Sequence, residues 1–147
     1  MEIGNIKLSN KYIIIIAIAA AIGSVGGKYI VDKLIGVKNP SDRHLIEMAN
    51  QFNKNLPLMA DSNTRLDTTM AMPGNNFMYI FTLINLSINE LDINDFNEIQ
   101  RPNIVNSLKT NPDMFDFRKN KVTLVYVYRD KNNNEITRFE ITYDEYE

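Results

Sequence analysis

The chain has 147 residues, 16 Lys/Arg against 18 Asp/Glu, a net charge of −2, one histidine and no cysteine. That excludes disulfides, thiolate nucleophiles and cysteine-ligated zinc together. Residues 38–147 hold 12 Lys/Arg and 16 Asp/Glu, net −4; so acidic a segment lacks the clustered cations that nucleic-acid binding requires, and no nucleic-acid partner is expected.

Residues 12–27, YIIIIAIAAAIGSVGG, carry no charge. A helix apolar on every side suits lipid better than the surface of a small domain. Extension to Tyr29 brings the run near the roughly 17–25 residues that cross a bilayer. Lys11 and Lys28 then stand at the two interfaces, beside Tyr12 and Tyr29, whose amphipathic rings suit the headgroup level. The expectation is an N-terminal tail and transmembrane anchor over residues 1–36. A cleaved signal peptide is the rival reading: Lys7 and Lys11 make a basic start, and Ala21 and Gly23 are small residues suited to cleavage. A buried core helix is the third. Gly23 and Gly27 form a GxxxG pair that would let two membrane helices approach, a weak hint of a homo-oligomer set against simple flexibility at the helix end. Counting lysines and arginines puts the following domain in the cytoplasm, because Lys28, Lys33, Lys38 and Arg43 outnumber Lys7 and Lys11.

Residues 37–42, VKNPSD, read as a hinge with helix-capping residues, and residues 43–147 as one α+β domain. Leu45, Ile46, Met48, Ala49 and Phe52 recur at helical spacing and predict a helix over 42–54. Residues 58–69 read as extended. The MPGNN run at 72–76 predicts a turn, since Gly and Asn tolerate positive φ. Residues 77–86, FMYIFTLINL, predict a strand apolar on both faces, hence central in the sheet. Residues 89–110 return to helical spacing, with Pro102 expected to kink or divide the helix. A short helical turn carries Met114, Phe115 and Phe117. Residues 121–129 and 135–143 predict two strands joined by the DKNNN hairpin loop. The element order α-β-β-α-β-β predicts an antiparallel sheet of about four strands with two helices on one face.

An ordered set of short features runs from NKNLP at 53–57 through Asp61 and TRLD at 64–67. PGN at 73–75, YIFTL at 79–83, TNP at 110–112 and VTL at 122–124 with Tyr126 and Tyr128 complete it. In this order they resemble a family of small, uncharacterised bacterial proteins with an N-terminal hydrophobic segment and a compact C-terminal domain. The resemblance implies no activity. The resemblance implies that relatives often carry a cysteine just before the TNP step and another near the C-terminus; here Lys109 holds the first place and residues 143–147 contain none. A disulfide in relatives implies an extracytoplasmic domain, which favours a bacterial inner-membrane anchor with a periplasmic domain over the cytoplasmic placement.

Catalytic signals are weak. His44 alone makes a poor metal site and is expected to face solvent. No GxSxG elbow is present. Asp61, Asn63 and Asp67 resemble a calcium loop but lack its glycine and terminal glutamate. Neither a metal nor a cofactor is expected. Arg65 and Asp67 could clamp a ligand or a partner loop, or pair internally, which is the preferred reading. The strand aromatics read as core packing, and residues 144–147, DEYE, as a solvated acidic tail. The chain is thus expected to be a membrane-anchored, non-enzymatic binding or accessory domain of the bacterial envelope, with another protein as partner. A small-ligand-binding domain or enzyme using Asp61, Arg65 and Asp67 is the alternative, and an immunity-type protein a further one.

Overall fold

Helix α1 (Asp42–Asn53) opens the part of the chain that the computed structural model describes, residues 42–147. The predicted anchor, its possible cleavage site, most of the hinge and the Gly23/Gly27 pair lie outside the described residues. Strands β1 (Leu58–Met59), β2 (Thr64–Met72) and β3 (Asn76–Leu83) follow, then helices α2 (Ile93–Thr110) and α3 (Phe115–Lys119). Strands β4 (Thr123–Arg129) and β5 (Glu135–Ile141) and a final turn, α4 (Tyr143–Tyr146), complete the order.

The five strands lie in the order β1-β2-β3-β4-β5. The sheet departs from the fully antiparallel, four-stranded expectation at two points. The extended segment after Pro57 folds back on itself, so that Leu58 pairs with Leu66 and adds a fifth strand. Strands β3 and β4 are parallel, with Tyr79 opposite Tyr126 and Phe81 opposite Tyr128. The helical connection through α2 makes this possible, because parallel neighbours need a long crossover whereas antiparallel ones can be joined by a tight turn. The β2–β3 hairpin has such a turn: Gly74 and Asn75 both adopt positive φ, at 82° and 63°.

One face of the sheet carries the main core. Phe77, Tyr79, Phe81 and Leu83 from β3 join Leu124, Tyr126 and Tyr128 from β4 and Phe139 and Ile141 from β5. Leu45, Met48 and Ala49 of α1 and Phe96, Ile104 and Leu108 of α2 close over them, so both long helices share this face as expected. The rings interlock: Phe81 stacks on Tyr128 at 5.1 Å, and Phe96 meets Tyr128 edge-on at 5.2 Å. Such pairs add about 0.5–1.5 kcal/mol each beyond the area they bury.

Three local expectations are corrected. Of the two outcomes expected at Pro102, division does not occur: the residue lies inside a continuous α2, exposed at the helix surface. His44 is buried, not solvent-facing. The acidic tail is not a free terminus: Tyr146 is fully buried and donates a hydrogen bond to the Val122 carbonyl.

Candidate functional site

The second face of the sheet starts from the alternation of β2. Leu66 and Thr69 point into the core, and a bulge between Leu66 and Thr68 leaves Asp67 unpaired in the ladder. A bulge re-aims one side chain without ending the strand. Here Asp67 turns its carboxylate to Arg65, whose Nε donates at 2.5 Å, and to Thr82, whose hydroxyl donates at 2.5 Å. The predicted internal pair of Arg65 and Asp67 therefore forms, anchored to β3 through Thr82. It is half-open to water, with the side chains 42% and 25% exposed.

Strand register extends this pair into a row. Met59, Arg65, Thr82 and Arg129 lie opposite one another on β1, β2, β3 and β4. Arg129 donates to the Asn133 side chain at 3.0 Å. At the β5 end Arg138 holds Glu135 through two contacts of 3.2 Å, which raise the guanidinium pKa further. Met59, in the row, is 45% exposed; Met70, 49% exposed, lies further along β2 opposite Met78. The result is a polar, cation-bearing row with one exposed apolar side chain, Met59, in it.

Asp61 does not join that row. Its Oδ1 accepts from the backbone N–H groups of Asn63 at 2.6 Å and Thr64 at 2.9 Å, closing its own turn. Its carboxylate acts instead on the core side. The Tyr128 hydroxyl is pushed up mainly by burial, pulled down by the hydrogen bond from Gln100, and pushed up again by Asp61. Gln100 is fully buried on α2 and donates to that hydroxyl at 2.8 Å. The Oδ2 of Asp61, the hydroxyl of Thr64 and the Oε1 of Gln100 are buried with no hydrogen-bond partner among the described residues. Sequence reading did not find Gln100; a lone glutamine on a helix gives no signal until its neighbours are known.

Asp130 is a second carboxylate missed in the sequence. Burial works to raise its pKa, but donors outweigh it: the Asn134 side chain and the backbone N–H groups of Asn134, Ile88 and Asn132 hold it at about 2. It pins the hairpin loop to the segment after β3, a structural task. Among the described residues no group of three His, Cys, Asp or Glu is placed to hold a metal ion, and no helix is long and apolar enough to cross a membrane.

The described residues form an α+β domain with a five-stranded, mostly antiparallel sheet. The profile of the domain-of-unknown-function family DUF8479 matches residues 39–138; the chain belongs to this family. No curated protein matches it in sequence. Two solved structures share its fold. One is a Pseudomonas aeruginosa protein inferred to be secreted, 14% identical, covering 72% of this chain and 96% of its own, with a TM-score of 0.56. The other is the type II secretion system pilotin AspS of Vibrio cholerae, 12% identical, covering 71% of this chain and 90% of its own, with a TM-score of 0.54.

Proposed function

We propose that this protein is a membrane-tethered, non-enzymatic accessory domain of the bacterial cell envelope. In this reading a protein partner engages the row around Arg65 and Asp67. The observation that carries the reading is the fold shared with an inferred secreted protein and with a secretion-system pilotin over more than two thirds of the chain. The uncharged run at 12–27 supplies the tether, and Gly23 and Gly27 are the positions for any helix–helix association within it. The domain faces the periplasm. The small-ligand alternative has less support, because Asp61 is turned away from Arg65 and Asp67 and engaged in its own loop.

The test is fractionation of cells expressing the full chain with, after Glu147, a reporter active only outside the cytoplasm. Uncleaved protein in the membrane fraction with an active reporter is expected. Uncleaved protein in the soluble fraction, or an inactive reporter on a membrane-bound chain, overturns the tether or its orientation. Capture on the tethered domain should recover a partner that the double charge reversal Arg65→Asp with Asp67→Arg loses.

A further inference from the structure

A sheet has two edges, and this fold treats them differently. Backbone N–H and C=O groups on an open edge are a template for another strand unless something occupies them. On the first edge β1 pairs with Arg65 and Leu66 of β2. Further along β2 the side-chain amide of Asn53 stands in for a strand: it accepts from the Thr69 N–H at 2.8 Å and donates to the Thr69 carbonyl at 2.9 Å. The second edge is β5, beyond which no described strand lies. The direction of its backbone groups follows from β4. Thr123 gives its N–H to the carbonyl of Asn75, just before β3, and successive residues of a strand turn these groups to opposite sides. Val125 and Val127 therefore face β3, while Tyr126 and Tyr128 bond to Phe139 and Thr137. Arg138 and Glu140 alternate with those two and direct their N–H and C=O outward. The Glu140 carbonyl shows it, accepting from Nη2 of Arg101 at 3.2 Å.

We propose that this edge pairs with β5 of a second copy of the chain, antiparallel, about a two-fold axis at Phe139. The charge pattern chooses both the occupant and the register. A two-fold centred on Arg138 sets two guanidinium groups face to face, and one centred on Glu140 sets two carboxylates face to face. Centred on Phe139, Arg138 of each copy meets Glu140 of the other, so opposite charges pair twice. All three registers bring outward backbone groups together, but like charges directly across a strand pair are unfavourable and opposite ones favourable. The edge is ready for the contact. The side chains of Glu135 and Arg138 are 45 and 48% exposed, Glu140 is exposed, and EITRFEI contains neither the Pro nor the Lys that commonly blunts an edge. The Glu140 carbonyl keeps a second lone pair beside its bond from Arg101. The exposed contact between Arg138 and Glu135 yields at little cost.

Association stops at two copies, because the pairing uses both β5 edges and leaves outermost the edges that β1 and Asn53 already occupy. A single strand pair is a small interface and belongs with weak, transient contacts. It does not depend on the fate of residues 12–27, and it leaves Arg65 and Asp67, on β2, uncovered.

The chain contains no cysteine, so introduced thiols report position. Full-length Arg138→Cys and Glu140→Cys chains are oxidised in a non-ionic detergent, each alone and as a mixture. The mixture should give roughly fivefold more disulfide-linked dimer than either variant alone, because only these two positions lie opposite each other at disulfide distance. No dimer in the mixture overturns the proposal, as does a dimer formed equally well by one variant alone. The second readout is the dimer dissociation constant of the full chain, from analytical ultracentrifugation up to about 1 mM. Arg138→Glu and Glu140→Arg should each weaken it on the order of tenfold. The double exchange Arg138→Glu with Glu140→Arg should restore it, since opposite charges then face each other again. Monomer throughout the range overturns the proposal. So does a dimer that neither single variant weakens, which would place the contact elsewhere, such as at Gly23 and Gly27.

Discussion

The side-chain amide of Gln100 donates a 2.8 Å hydrogen bond to the hydroxyl of Tyr128, and both residues are shut off from solvent. The bond joins α2 to the centre of the sheet, where Tyr128 also stacks on Phe81. It is a polar contact inside an otherwise aromatic layer, and its cost when broken exceeds its value when formed, because a buried amide is left without a partner.

Tyr128→Phe should therefore destabilise the domain by about 1–3 kcal/mol, measured by urea denaturation. The double variant Gln100→Leu with Tyr128→Phe should recover part of that loss, because neither polar group then remains. Additive losses in the double variant would show that the two side chains act independently.

Asp130 accepts from three donors in the β4–β5 loop and from the Ile88 backbone N–H after β3, and its carboxyl sits at about 2 in the folded chain, against about 3.9 for an unfolded aspartate. A depressed pKa means the folded state binds the proton less readily than the unfolded one. Its contribution is complete above about pH 4 and is lost as pH falls toward 2. The gap in thermal midpoint between the native chain and Asp130→Asn should thus shrink steadily between pH 5 and pH 2. A constant gap over that window would show that the carboxylate's charge does not matter to folding.

Tyr146 is the last buried ring, held by its bond to the Val122 carbonyl and an edge contact with Tyr143 at 5.7 Å. Arg101 on α2 also clamps this turn through Glu145 at 2.7 Å. Tyr146→Ala should cost about 3–5 kcal/mol, as for other buried aromatics, and Tyr146→Phe about 1 kcal/mol, the hydroxyl bond alone. Equal stability of the Ala variant in chemical denaturation would return the tail to solvent.

The Arg65–Asp67 pair is half exposed, so its removal should cost little. Arg65→Ala should change stability by less than about 1 kcal/mol. Asp67→Ala should cost somewhat more, because Thr82 loses its acceptor as well. If the row is a contact surface, both variants fold normally and lose partner capture. Intact capture by both would move the partner elsewhere.

Much of the architecture was legible along the chain, for identifiable reasons. Phe77 to Leu83 and Thr123 to Arg129 alternate aromatic and β-branched residues over a length that suits only a strand, and Leu45, Met48, Ala49 and Phe52 mark a helical stripe. The Arg65–Asp67 pair was readable because its partners lie two residues apart, and the Gly74–Asn75 turn because few residues tolerate its backbone. Asp61 was placed with them by proximity in sequence alone, and strand direction set it apart.

What composition and local pattern determined by themselves was the alternation of helices and strands, the absence of thiol chemistry and the uncharged run at 12–27. These depend on neighbouring residues only, through backbone preference and side-chain polarity. Only the tertiary structure decided that β3 and β4 run parallel, that Tyr146 and His44 are buried, and that Gln100 meets Tyr128. Each of these joins residues far apart along the chain, and such pairings are set by which surfaces fit once the layers close.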